Sequence, residues 1–197
     1  DFEVEALIRS DHVDRDMTMV ANSRYSRDYI NSVYGDICSD VVYPGVGIRS
    51  FEELPRSDNM IVTIGQLWSH KRITTLISSM IYVEDAYLIV IGNGPDREDY
   101  ISMIVRLGLE NRVFIYTEAT DEIRDMLLAR ASLFLFAAIR EPFGMVVLEA
   151  MAAGVPVIAV DEGGYSEVLG EGGVFCNPNP AAFGNEINRL LKDKKER

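Results

Sequence analysis

The sequence predicts a doubly wound α/β sandwich, with helices on both faces of a parallel sheet. Three observations carry this expectation. From Asn59 onward the chain repeats one unit: a short β-rich apolar run, a glycine or polar loop, then an amphipathic stretch of about 10 residues. The apolar runs mostly do not alternate with polar residues, as strands buried on both faces require. With 197 residues and 48% hydrophobic composition, the chain can also fill a core of ordinary size.

In chain order the expected strands are Met60–Ile64, Ala86–Ile91, Arg112–Tyr116, Ser132–Ala137, Val155–Val160 and Gly173–Cys176. The helices between and after them are Arg72–Tyr82, Asp96–Leu107, Asp121–Ala129, Gly144–Ala153, Tyr165–Leu169 and Ala181–Lys192. Asp96 and Asp121 read as N-caps, and Gly108 and Gly154 as C-terminal stops. Elements in this order build a three-layer α/β/α, Rossmann-like domain, whose ligands sit beyond the carboxyl ends of the strands.

The first 58 residues read differently. Thr18–Ala21 is a short strand, Ser23 caps a helix through Tyr34, Val41–Tyr43 is a second strand, and Pro44-Gly45-Val46-Gly47 turns the chain. Ile48 to Asn59, with Pro55 and several charges, reads as a connection. The expected division is 1–40, the tail of a preceding domain, and 41–197, the main domain. The opening Asp-Phe-Glu-Val has no initiator Met, so an excised piece of a longer protein is expected, and the Lys-Asp-Lys-Lys-Glu-Arg end reads as solvated and frayed.

Charge narrows the possible functions. Lys and Arg number 19 against 31 Asp and Glu, a formal net charge of −12, which disfavours a nucleic-acid or anionic-membrane surface. The most apolar stretch, Ser132 to Val160, is broken by Arg140, Glu141 and Glu149, so no run reaches the roughly 18 apolar residues of a membrane helix. Cys38 and Cys176 form no redox or metal spacing and read as buried free thiols, while His12 and His70 are too far apart in sequence to suggest a metal.

The segment Arg140 to Gly154 holds the chemistry. Between Gly144 and Ala153 every residue is apolar or small except Glu149, so a helix buried all round is expected, with one carboxylate that must be paired, protonated or lining a cleft. A cleft is favoured over an internal ion pair, because Glu141 stands at the carboxyl end of the preceding strand. At 1.5 Å per residue, Glu149 lies about 7 Å along the axis from the helix start, and Glu141 just outside it. Between the two acids, the amides of Gly144, Met145 and Val146 and the helix dipole offer an anion site. A diphosphate flanked by hydroxyl-bearing rings, that is, a nucleotide sugar, satisfies all three features. Carboxylates accept well from vicinal hydroxyls, so Glu141 suits a sugar and Glu149 a ribose.

Glu141-Pro142-Phe143-Gly144, four residues, Glu149-Ala150-Met151-Ala152-Ala153-Gly154-Val155-Pro156-Val157-Ile158-Ala159, then Gly163-Gly164-Tyr165-Ser166-Glu167, resembles the signature of retaining group 1 (family 4) glycosyltransferases, including their E-x7-E motif. Gly65-Gln66-Leu67 with Lys71, Ile91-Gly92-Asn93-Gly94-Pro95, and Leu107-Gly108-Leu109 with Asn111-Arg112-Val113 follow the same family's order and spacing. Val20-Ala21-Asn22-Ser23 and Tyr43-Pro44-Gly45-Val46 resemble its interdomain crossing. The resemblance implies the C-terminal, donor-binding half of a GT-B glycosyltransferase, transferring a hexose, with mannose in view, from a nucleoside-diphosphate sugar to a glycan or lipid-linked acceptor. It implies that Glu141 meets the donor sugar and Glu149 the ribose, and that Phe143, Gly144, Met145 and Val146 present backbone amides to sugar and phosphate. Lys71 would neutralise the diphosphate, with Gly65 and Gln66 beside it, and Ala119, with Gly92 and Gly94 near it, would meet the base through backbone. The donor is a substrate, so no cofactor or metal is expected. The missing N-terminal domain would supply the acceptor half, the fragment alone would be inactive, and the setting would be cytoplasmic, at the inner membrane face through that domain.

The sequence departs from the family at Gln66, where Arg is usual, at Arg72, commonly Gly, and at Thr117. Gln66 leaves open a non-catalytic nucleotide-sugar-binding module, and a GT-B nucleotide-sugar epimerase is a further alternative. Gly92-Asn93-Gly94-Pro95 lacks the third glycine of a dinucleotide fingerprint and reads as a βα turn. Asp161-Glu162 reads as an exposed acidic pair, Trp68 and Met80 as cover for the sheet or the domain seam, and no serine has triad partners.

Overall fold

The computed structural model describes residues 19–47 and 55–193. Two compact units divide the chain, the first ending at Tyr43 and the second starting at Pro44. Thr18, His12, most of the connection after Gly47 and the last four residues lie outside the described residues.

In the first unit, β1 (Met19–Ala21) and β2 (Cys38–Val41) pair in parallel, joined by α1 (Arg24–Tyr34). Ser23 caps α1 as expected, its hydroxyl accepting the Ser26 amide at 2.9 Å. The second strand is displaced from the expected 41–43 to 38–41. Its Cys-Ser-Asp-Val sequence carries too little apolar character for periodicity to find it. A side chain fixes it instead: Asn31 donates to the Cys38 carbonyl at 2.8 Å and accepts from the Cys38 amide at 2.9 Å.

The second unit is built on β3 (Met60–Ile64), β4 (Tyr87–Ile91), β5 (Val113–Tyr116), β6 (Leu133–Phe136), β7 (Val157–Ala159) and β8 (Val174–Phe175). They form one parallel sheet in the order β5-β4-β3-β6-β7-β8. Its helices are α2 (Ile73–Ser79), α3 (Arg97–Arg106), α4 (Asp121–Arg130), α5 (Met145–Ala152), α6 (Tyr165–Leu169) and α7 (Pro180–Lys192). Every residue of β3, β6 and β7 is buried, which is why these runs lack alternation. Each fully buried Leu, Ile or Phe there contributes roughly 1.5–3 kcal/mol. Met80 joins this core at 0% exposure, whereas Trp68 stays 47% exposed.

The helix ends show what local chemistry decides. Gly108 and Gly154 follow their helices at φ +66°, the left-handed conformation that glycine adopts without a Cβ clash. Asp121 is not the cap of α4. Thr120 is: it holds extended backbone and its hydroxyl accepts from the Ile123 amide at 3.4 Å, while Asp121 sits one step in, where its charge complements the helix dipole. Asp96 occupies the cap position of α3 without a side-chain capping bond, because its carboxylate accepts from the Tyr100 hydroxyl at 3.2 Å.

The helix expected to be buried all round is not. In α5 only Val147 and Ala150 are buried. Met145, Glu149 and Ala152, spaced i, i+4, i+7 on another face, line a cavity of about 270 Å³. Its apolar composition fits the helix to the sheet on one side and to that cavity on the other.

The sheet order places the site. The chain runs outward from β3 through β4 to β5, then returns to lay β6 against the other edge of β3 before continuing to β7 and β8. The loops leaving β3 and β6 therefore diverge across a topological switch point, the crevice where open α/β sheets bind ligands. Cys38 and Cys176 are both free thiols, and burial pushes the Cys176 thiol up to about 12.

Candidate functional site

Lys71 lies on the loop leaving β3 and Glu141 on the loop leaving β6. The Ile139 amide donates to the His70 carbonyl at 2.9 Å, tying the two loops together. There the Lys71 ammonium and a Glu141 carboxylate oxygen form a contact ion pair, with side chains 16% and 19% exposed. Beside it Arg72 pairs with Glu162 at 2.7 Å, so the acid read as exposed faces a cation. Among the described residues, the non-glycine positions with positive φ are Arg72 (φ +50°) and Arg140 (φ +56°), each next to a member of the central pair. Such backbone costs of order 1 kcal/mol apiece and collects where the surroundings over-determine geometry.

The backbone of Glu141 is fixed from beneath. Tyr165 is fully buried, and its hydroxyl donates to the Ala138 carbonyl at 2.8 Å. Burial holds this phenol above its usual range, so it remains a donor. The ring of Phe136 meets it edge-on at 4.8 Å. A Cβ on Gly144 would lie 2.7 Å from the Tyr165 Cβ, and one on Gly163 would lie 2.8 Å from the Glu141 carbonyl oxygen. The Gly164 amide donates to that carbonyl at 2.9 Å. Two glycines thus let the β6 and β7 loops close around one tyrosine, and Gly144 also needs its φ of +78°.

From Gly144, α5 begins with Val147 and Leu148 donating to the Gly144 carbonyl at 2.9 and 3.4 Å. The amides of Met145 and Val146 fall in the preceding half-turn, whose donors have no intrahelical acceptor. Phe143 is buried behind them, Val146 is half-buried and Met145 is exposed. Further along, Glu149 lines the cavity with Arg124, Asp125, Leu128, Met145, Ala152 and the segment Gly45-Val46-Gly47. Its Oε1 lies 3.9 Å from Arg124 Nη2, and its Oε2 is buried and accepts no hydrogen bond.

The glycines of the β3 and β4 loops serve the fold. A Cβ on Gly92 would lie 1.9 Å from the Gly65 carbonyl oxygen, and one on Gly94 would lie 2.4 Å from the Leu67 carbonyl oxygen. The junction is closed by the Gly65 amide to the Ile91 carbonyl at 3.0 Å and the Leu67 amide to the Asn93 carbonyl at 2.9 Å. Gln66 is exposed on this loop, and Ala119 is half-buried after β5. Lys71 and Glu141 are brought together at the switch point and Glu149 is set on the cavity wall, while Gly65, Gly92 and Gly94 form a backbone junction beside Lys71, whose Cδ would lie 4.0 Å from a Cβ on Gly65. Among the described residues, no group of three or more His, Cys, Asp or Glu is placed to hold a metal. No described helix is long and apolar enough to cross a membrane.

Sequence reasoning passes over Arg124 and gives Tyr165 no role. Arg124 lies between Asp121 and Asp125 and reads as a surface ion pair, so nothing in the sequence aims it at Glu149. Tyr165 does carry a signal, an aromatic directly after a glycine pair at a strand end.

This geometry meets a family model: residues 48–197 match Glycosyl transferases group 1. The chain belongs to the group 1 glycosyl transferases. Its parallel six-stranded domain is the C-terminal half of their GT-B fold. It is 31% identical to the O-antigen chain mannosyltransferase RfbU of Salmonella typhimurium, over 71% of this chain and 40% of that protein. HepE of Anabaena, whose structure holds UDP-glucose, superposes with a TM-score of 0.80 at 26% identity, over 91% of this chain and 55% of that one. The fold of TarM of S. aureus is matched over 100% of this chain and 41% of that one, with a TM-score of 0.86 and 19% identity. The chain spans about two fifths of the length of RfbU.

Proposed function

We propose that the chain is the donor half of a retaining glycosyltransferase, taking a hexose from a nucleoside diphosphate and passing it to a glycan or lipid-linked acceptor. One observation carries this reading. The Lys71–Glu141 contact pair stands at the switch point, and the loop Glu141-Pro142-Phe143-Gly144 leads from it directly into α5, which carries Glu149 and its unpartnered oxygen.

On this reading the diphosphate lies between the Lys71 ammonium and the amides of Met145 and Val146, with Phe143 and Gly144 presenting backbone to the sugar. Glu141 accepts from hydroxyls of the hexose, and Glu149 accepts from the ribose. As the glycosidic bond breaks, negative charge grows on the departing phosphate oxygen, where Lys71 and the helix amides stabilise it. Lys71 therefore exchanges part of its pairing with Glu141 for phosphate when donor binds. Ala119 and the loop after β5 offer backbone to the base, and Gly65 and Gln66 flank the phosphates, Gln66 donating only neutral hydrogen bonds. The hexose is mannose, following the mannosyl relative; glucose is the competing choice. The unit before Pro44 is the end of an acceptor-binding domain and the crossing from it. Nucleotide sugars place the reaction in the cytoplasm, at the inner membrane face where the acceptor is lipid-linked.

A second reading, a nucleotide-sugar-binding module without turnover, is favoured by Gln66 alone. Calorimetric titration of the chain with UDP, GDP and ADP and their glucose and mannose conjugates tests the first. Binding in the micromolar to millimolar range is expected, since half a cleft leaves much of the ligand in water. Lys71→Ala and Glu141→Ala should weaken binding of the nucleotide sugar with the circular dichroism unchanged. Absence of heat with every ligand would overturn the proposal.

A further inference from the structure

The surroundings of Glu149 contain a cation that stands off from it. Arg124 Nη2 is 3.9 Å from Glu149 Oε1, beyond hydrogen-bond reach. The guanidinium is held back on its own helix: Nε and Nη2 donate to Asp125 Oδ1 at 3.3 and 3.2 Å, and Nη1 lies 3.6 Å from Asp121 Oδ1. Glu149 Oε2, buried and without a hydrogen bond, is left to accept from something else. Both side chains line the same cavity of about 270 Å³, whose other side-chain walls include the apolar Leu128, Met145 and Ala152. A guest there must bring its own donors, and a vicinal diol brings two.

We propose that Arg124 is a positioning residue for diol recognition: anchored by Asp125 and Asp121, it holds the Glu149 carboxylate turned so that Oε2 receives a ribose hydroxyl. The proposal rests on reading the site as a nucleotide-sugar site. Arg suits the task because its planar fork reaches two carboxylates while a third remains unbonded.

The test is calorimetric titration of the 197-residue chain with UDP and GDP against their 2′,3′-dideoxy forms. The parent chain should prefer the ribose form by about tenfold, the scale of one charge-assisted hydrogen bond. Arg124→Met should reduce that preference to less than about threefold while leaving dideoxy affinity and thermal midpoint unchanged, and Arg124→Lys should restore part of it. Glu149→Gln should abolish the preference, and Arg124→Met should add nothing in that background. Equal loss for ribose and dideoxy ligands, a preference that survives Arg124→Met, or additive effects in the double variant would overturn the role of Arg124. Binding by the parent chain without any ribose preference would overturn it too, leaving the nucleotide-sugar reading intact. No binding of either nucleotide would sink both.

Discussion

Glu141 and Glu149 share one loop-helix segment, yet the protein surrounds them in opposite ways. Glu141 is in contact with Lys71, its carbonyl accepts from the Gly164 amide, and Gly163 passes close against that carbonyl. Glu149 lies 3.9 Å from Arg124 Nη2 on the wall of the same cavity and keeps one oxygen without a donor. The difference teaches that two acids matched in sequence need not be poised alike. One must trade a partner to receive ligand, whereas the other has acceptor capacity to spare.

The first way to break the comparison is steric. Gly144→Ala sets a Cβ 2.7 Å from that of Tyr165 at a φ of +78°, and should cost about 3 kcal/mol. Differential scanning calorimetry should show a thermal midpoint lower by roughly 6–12 °C. Met145→Ala, on the open side, should change stability by less than about 0.5 kcal/mol. Equal effects would show that the Glu141 side is no tighter than the other.

Charge gives the next test. Lys71→Ala should lower affinity for UDP by about 10–30-fold, through loss of a charge-assisted contact to phosphate. Glu141→Gln and Glu149→Gln should then separate: the first frees Lys71 and leaves UDP affinity unchanged or about twofold higher, while the second lowers it about tenfold. Isothermal titration with UDP ranks them, and a loss at Glu141→Gln as large as at Glu149→Gln would erase the distinction. The smallest expected effect is at Arg72. Replacing it by Gly relieves left-handed backbone at φ +50° but loses the part-exposed pair with Glu162. A net gain of about 0.5 kcal/mol, or 1–2 °C in thermal midpoint, is expected. A fall would show that the ion pair outweighs the strain.

Much of this is legible in the sequence because the signals are strong and local. The strands of the second unit announce themselves as unalternating apolar runs, and Gly108 and Gly154 mark their helix ends by the conformation only glycine takes easily. The spacing of Glu141 and Glu149 around a helix start is equally open to reading. What stays hidden depends on tertiary partners. The β2 strand is held by Asn31 rather than by apolar residues. Thr120 outcompetes Asp121 for the cap because its backbone is extended there. The one-sided burial of α5 follows from a cavity no composition reveals, and the approach of Arg124 to Glu149 on its wall depends on where α4 lies in the fold.

The junction of Gly65 and Leu67 with Gly92 and Gly94 has an evolutionary consequence. Because main chain abuts main chain there, any enlargement at Gly92 or Gly94 collides with a carbonyl. Diversification of ligand choice on this scaffold is therefore channelled away from Gly92 and Gly94, to positions such as Gln66 and the loops after β5 and β6, where side chains have room to change.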